Sequence, residues 1–141
     1  MWPSTAIIVG SRIERSLGAG VSVFGSLATI TGSVISDTAP WQGDLFGDGL
    51  SIIHHLAPAD AELTSSMVRD SARASVSNFS STMGLGDNTL SCAALDLAGD
   101  DLLASFVFED HGGNRCGCPQ PAGPCMVLSP GLTPPTPATP P

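Results

Sequence analysis

The residues most able to do chemistry crowd one stretch, "HGGNRCGCPQPAGPC", which carries His111, Cys116, Cys118 and Cys125. Four N/S donors are what a tetrahedral zinc needs, but structural sites favour wider spacings than Cys-x-Cys. Pro119, Pro121 and Pro124 also stiffen the loop against wrapping an ion. With Cys92 the four cysteines form an even set that allows three disulfide pairings in an oxidising compartment. Disulfides or free thiols are therefore expected there, with no metal and no cofactor.

Other candidates fade on the same kind of test. His54 and His55 are neighbours, and neighbours in a strand point to opposite faces, so they do not share a ligand. Asp100-Asp101 and Glu109-Asp110 flank turns, where carboxylates cap backbone groups and stay solvated. No nucleophile elbow, phosphate loop or His-Glu-x-x-His motif occurs, and the many serines lack a partner base. No catalytic site is expected, so the chain reads as non-enzymatic. Asn78-Phe79-Ser80 fits the glycosylation acceptor pattern, a slight pointer to secretion.

One pattern suits binding without catalysis. In a strand, Thr29 and Thr31 share a face about 6.6–6.8 Å apart, with Ser33 continuing the row and Ile30 turned inward. Such a row of hydroxyls is also what any exposed strand presents.

The elements that must position these residues follow from composition. The 141 residues make one domain with a formal charge of -8 and no lysine, which argues against nucleic acid and anionic lipid. Residues 1–15 form an N-terminal segment without a clear signal peptide. Residues 16–36 are uncharged and long enough for a bilayer span. Gly18, Gly20, Gly25 and Gly32 oppose a helix there, while Val, Ile, Thr and Phe favour short strands broken at the glycines. Short strands continue through 39–53, as in a β-solenoid or a sandwich.

Residues 58–83 predict a helix. Pro58 suits a first turn, Asp60 and Glu62 complement its dipole, and Gly84 stops it. Val68, Ala72, Val76, Phe79 and Met83 fall on one stripe, which would pack on the strands. "ASFVFED" (104–110) predicts a buried strand. Residues 116–141 form a Cys/Pro loop and a Pro/Thr tail, expected to be extended or disordered. The fold class expected is mainly β with one long α-helix. Solenoid coils would fill 16–115, with the 58–83 helix packed alongside.

The order of these segments resembles the microbial ice-binding (antifreeze) proteins. "LGAGVSVFGSLATITGSVISDT", "GDLFGDG", "ADAELTSSMVRDSARASVSNFSSTM", "GDNTLS", "DLAGDD" and "ASFVFEDHGG" follow one another across about 16–113. That family continues with more coils, and it carries a Pro-Gly-(Val/Ile)-Tyr strand that is missing here. The resemblance implies a discontinuous β-solenoid with a flanking helix, acting as a secreted monomer. It further implies an ice crystal surface as the partner, contacted through a flat Thr/Ser face with Thr29, Thr31 and Ser33. Two alternatives stand beside it: a structural or adhesion β-solenoid, and a single-pass membrane subunit using 16–36.

Overall fold

The computed structural model describes residues 4–41 and 46–128, and every regular element among them is a β-strand. Three strands and three turns return the chain to its start, one layer further on. The first coil holds β1 (Thr5–Val9), β2 (Arg12–Glu14) and β3 (Ala19–Phe24). The second holds β4 (Leu27–Thr31), β5 (Val34–Ser36) and β6 (Asp48–Ile53). The third holds β7 (Asp60–Thr64), β8 (Met67–Arg69) and β9 (Ala74–Phe79). The fourth holds β10 (Thr82–Gly86), β11 (Thr89–Ser91) and β12 (Leu95–Asp100). A last triplet adds β13 (Val107–Asp110), β14 (Arg115–Gly117) and β15 (Val127–Leu128). Stacking gives three parallel five-stranded sheets, β1-β4-β7-β10-β13, β2-β5-β8-β11-β14 and β3-β6-β9-β12-β15. The protein is a three-sided β-solenoid of about four turns.

Turn chemistry explains the shape. The corner between the first and second sheets places one residue in the left-handed region, including Gly32 (φ 60), Ser65 (φ 50) and Asp87 (φ 55). Glycine and small polar residues bear that conformation at least cost. The next residue is a Ser or Asn that bonds its counterpart one coil away. Ser11 N donates to Ser33 Oγ (3.1 Å), Ser33 N to Ser66 Oγ (3.1 Å) and Ser66 N to Asn88 Oδ1 (3.0 Å). Asn88 N then donates to Asn114 Oδ1 (3.1 Å). The sequence steps are 22, 33, 22 and 26 residues, so a 22-residue coil is the unit and longer coils carry insertions.

Alternate residues of each strand fill the interior. Ile30, Leu63 and Met83 point in from the first sheet, Ile35, Val68 and Leu90 from the second, and Leu50, Ile52 and Val76 from the third. Each is fully buried, and each such side chain contributes about 1.5–3 kcal/mol relative to exposure. The third sheet also buries a charge. Asp48 receives Arg73 Nε (2.8 Å) and Nη2 (2.6 Å), Ala74 N (3.2 Å) and the Ser77 hydroxyl (2.8 Å). A buried carboxylate is tolerable only when its oxygens are satisfied in this way.

The predicted helix over 58–83 is absent: that segment is β7, β8, β9 and the start of β10. Ser65 (φ 50), Asp70 (φ 55) and Ser80 (φ 52) are left-handed, and any one of them would end an α-helix. Serines at 65, 66, 71, 75, 77, 80 and 81 should have weighed against the helix, since Ser prefers turns and caps to helix interiors. Val68, Val76, Phe79 and Met83 are indeed buried, but from three different sheets, and Ala72 is exposed. The strands expected between 17 and 56 are present as β3 to β6, so 16–36 is not a helical span. No helix of the described residues is long and apolar enough to cross a membrane.

The segment 1–15 supplies β1 and β2, and β13 covers Val107–Asp110 of the strand expected over 104–110. That strand is not buried, since it lies at the end of its sheet with only Phe108 partly covered. Cys92 pairs with Cys118 and Cys116 with Cys125, which fixes one of the three pairings. These bridges hold β14 and β15 to the solenoid, within the stretch expected to be extended or disordered; residues 129–141 lie outside the described residues.

Candidate functional site

Parallel pairing puts the outward residues of the first sheet into three columns. One runs Thr5, Leu27, Asp60, Thr82, Val107, and the next runs Ile7, Thr29, Glu62, Gly84, Glu109. The third runs Val9, Thr31, Thr64, Gly86. Strands stand about 4.7–4.9 Å apart, and outward residues about 6.6–6.8 Å apart along each strand, so the grid is regular.

Its first two strands carry no charge. Ile7 is 73% exposed, Val9 65% and Leu27 43%, with Thr29 exposed among them and Thr31 half-buried. The Thr31 and Thr64 hydroxyls hydrogen-bond at 3.1 Å, which carries the hydroxyl row onto a third strand. Asp60 and Glu62 then end the uncharged area. Three large apolar side chains are thus left on the outer face of these two strands.

Thr29 and Thr31 therefore share this face, with Ile30 fully buried between them. Ser33 does not join them. Gly32 turns the chain out of the strand, and Ser33 is buried in the corner ladder, donating to Thr31 O (3.1 Å). The i+2 rule holds within a strand and fails across that corner. Thr5, Ile7, Val9, Leu27 and Thr64 belong to the face and were not singled out by sequence reasoning. The signal was there: "TAIIVGS" at 5–11 and "LATITGS" at 27–33 are one coil apart and nearly the same.

The other candidates are structural. Both carbonyl and amide of Asn78 are bonded, to Ser81 N (2.9 Å) and Val107 O (2.9 Å), and the residue is fully buried, so it is closed to a glycan. The four cysteines are all in disulfides, which removes the His111-Cys116-Cys118-Cys125 metal set. His54 is half-buried, while exposed His55 packs edge-on against Phe24 at 6.4 Å, so the two imidazoles have separate surroundings. Asp101 accepts Phe106 N (2.8 Å). Asp110 accepts Gly112 N (2.9 Å) and the Asn114 amide (2.8 Å), and these two donors hold its carboxyl below the ordinary carboxylate range.

No family model, curated protein or solved structure matches the chain, and none of these comparisons identifies an ice-binding family. The class that the fold defines is a three-sided parallel β-solenoid with one uncharged, partly apolar face.

Proposed function

We propose that this β-solenoid adsorbs to ice through the outward face of β1, β4 and the Thr64 end of β7. The observation that carries the reading is the uncharged grid of Thr5, Ile7, Val9, Leu27, Thr29 and Thr31 on a parallel sheet in register. Ice adsorption requires a rigid, flat, fairly apolar surface with spaced hydroxyls, and it requires no catalytic group. A parallel sheet braced by a packed core is rigid at that scale. The reading has the protein secreted, monomeric and non-enzymatic, with ice as its partner. Two disulfides support an oxidising compartment. A charge of -8 opposes binding to nucleic acid or an anionic membrane.

A second reading has its own observation. Asp60, Glu62 and Glu109 interrupt the face, as suits an adhesion or structural solenoid with a polar partner. Thermal hysteresis and ice recrystallisation inhibition decide between them. The purified protein is expected to shape ice. Thr29→Tyr is expected to abolish that activity with the fold intact, and Thr29→Val to reduce it mildly because the outline of the surface is kept. An inactive wild type leaves the adhesion reading in possession, and an active tyrosine variant moves the ice face elsewhere.

A further inference from the structure

The far end of the same sheet holds a different kind of surface. Glu62 on β7 and Glu109 on β13 flank Gly84 on β10 in one column. Because position 84 has no side chain, the Glu62 carboxylate lies over the glycine, where a Cβ would collide with both of its oxygens. His111, just past β13, is fixed by its backbone N–H to Leu85 O (2.8 Å) and stands beside Gly86, the second glycine of this floor. Its Nε2 lies 3.3 Å from Glu109 Oε2 and 4.0 Å from Glu62 Oε1. One donor atom from each of the three residues falls within 4.8 Å of the others.

We propose that Glu62, Glu109 and His111 form a surface site for a divalent cation of the zinc type. Tetrahedral zinc with bonds of about 2.0–2.1 Å sets its N and O donors about 3.3–3.4 Å apart. The Glu109–His111 pair already stands at that distance, and the half-exposed Glu62 side chain must close about 0.6–0.7 Å on His111, with its separation from Glu109 already within 4.8 Å. The donor set selects the ion: an imidazole suits zinc and its neighbours, whereas calcium takes six to eight oxygens and magnesium keeps its waters. Charge points the same way. Two carboxylates gather at one imidazole, which, even when protonated, balances only one of them. Among the described residues no arginine lies within ion-pair distance of either glutamate. Three protein ligands leave a fourth position for water or for a donor from a partner. The four cysteines do not compete, because all are in disulfides.

The site uses no residue of the uncharged face, and zinc binding is read without ice, so its test stands apart from the ice reading. Zinc chloride titrated calorimetrically into the full chain is expected to bind one ion per chain. His111→Ala and Glu62→Gln are each expected to weaken binding by about tenfold or more, while the distant Glu14→Gln changes nothing. All three ligands are surface side chains, so thermal melts should confirm that the variants fold. In the wild type, zinc should move the ¹⁵N resonance of the His111 ring. Calcium at the concentration that saturates with zinc is expected to leave no heat. Absence of stoichiometric zinc binding overturns the proposal. So does a His111→Ala variant that binds as the wild type does, or calcium binding as tight as zinc.

Discussion

Where β1 and β4 present Ile7 and Thr29, β7 and β13 present Glu62 and Glu109, at equivalent places in one column of one sheet. The backbone beneath them is the same, paired in register and floored by inward Ala28, Ile30, Ala61 and Leu63. At one end aliphatic and threonine side chains fill the grid and make an uncharged, partly apolar surface. At the other, Gly84 and Gly86 open a recess into which charged side chains lean. The solenoid fixes where a residue stands, and the identity of that residue decides what the surface meets. Fold and function separate at the level of the column.

The sharpest way to break this comparison is to remove what both ends share. Leu63 is fully buried on β7, between the two surfaces. Leu63→Ala is expected to cost about 2–5 kcal/mol in urea denaturation, and ice shaping and zinc binding, each assayed in the cold after a graded heat challenge, should be lost together. If one activity outlives the other by a wide margin, the coils unfold separately, as weakly coupled repeats do.

Next in size are the disulfides, which the Glu62–His111 end has and the Ile7–Thr29 end lacks. Cys92–Cys118 spans 26 residues and Cys116–Cys125 spans 9. Replacing the first pair by serine should cost about 2–4 kcal/mol, more than replacing the second, because the longer closed loop restrains the unfolded chain more. Hydrogen exchange should quicken in β13 and β14 and change little in β1 and β2. Uniform quickening would show that the two ends share one cooperative unit.

How much of this was legible in the sequence varies with the length over which a residue's neighbours act. Short strands between 17 and 56 follow from local residue preferences, and Thr29 with Thr31 on one face follows from the two-residue period alone. The strands of 58–83 were hidden by a coincidence of spacing. Strand β9 is covered on both faces, so Val76 on one side and Phe79 on the other are both buried. The turn at Ser80-Ser81 brings Met83 inward four places later, and together the three imitate a helical stripe. Ser33 continues the two-residue period in sequence but not in space, because the left-handed Gly32 ends the strand before it. Partnerships across coils, such as Glu62 with Glu109, depend on insertions in the coil length and become visible only once the register is known. The near-repeat of "TAIIVGS" in "LATITGS" was the thread that would have led to it.

A smaller change sharpens the comparison by converting one floor toward the other. Gly84→Val places a β-branched side chain in a strand position, which suits the backbone and should move stability by about 1 kcal/mol or less. The new side chain occupies the space where the Glu62 carboxylate lies. Zinc affinity is expected to fall steeply with the melting temperature nearly unchanged. Retained affinity would mean that the open floor is not what gathers the ligands.

The smallest effect expected is one of acid. Asp110 sits at the turn after β13, where Gly112 N–H and the Asn114 amide donate to its carboxylate. These bonds favour the charged form, so its folded pKa lies below the ordinary 3.8. A depressed carboxyl stabilises the fold above the unfolded pKa, and that contribution drains away as pH falls from about 4 through the folded value. The group is fully exposed, so the loss is a local loosening of the 110–114 turn, followed by the amide resonances of Gly112 and Asn114. Asp110→Asn keeps the shape and removes the titration, so those resonances should stop moving in acid. β1 and β4 offer no carboxylate on their outward face, so their amides should stay still over the same range in both proteins. Movement there in step with Asp110 would mean that the two ends of the sheet are coupled through the coils between them.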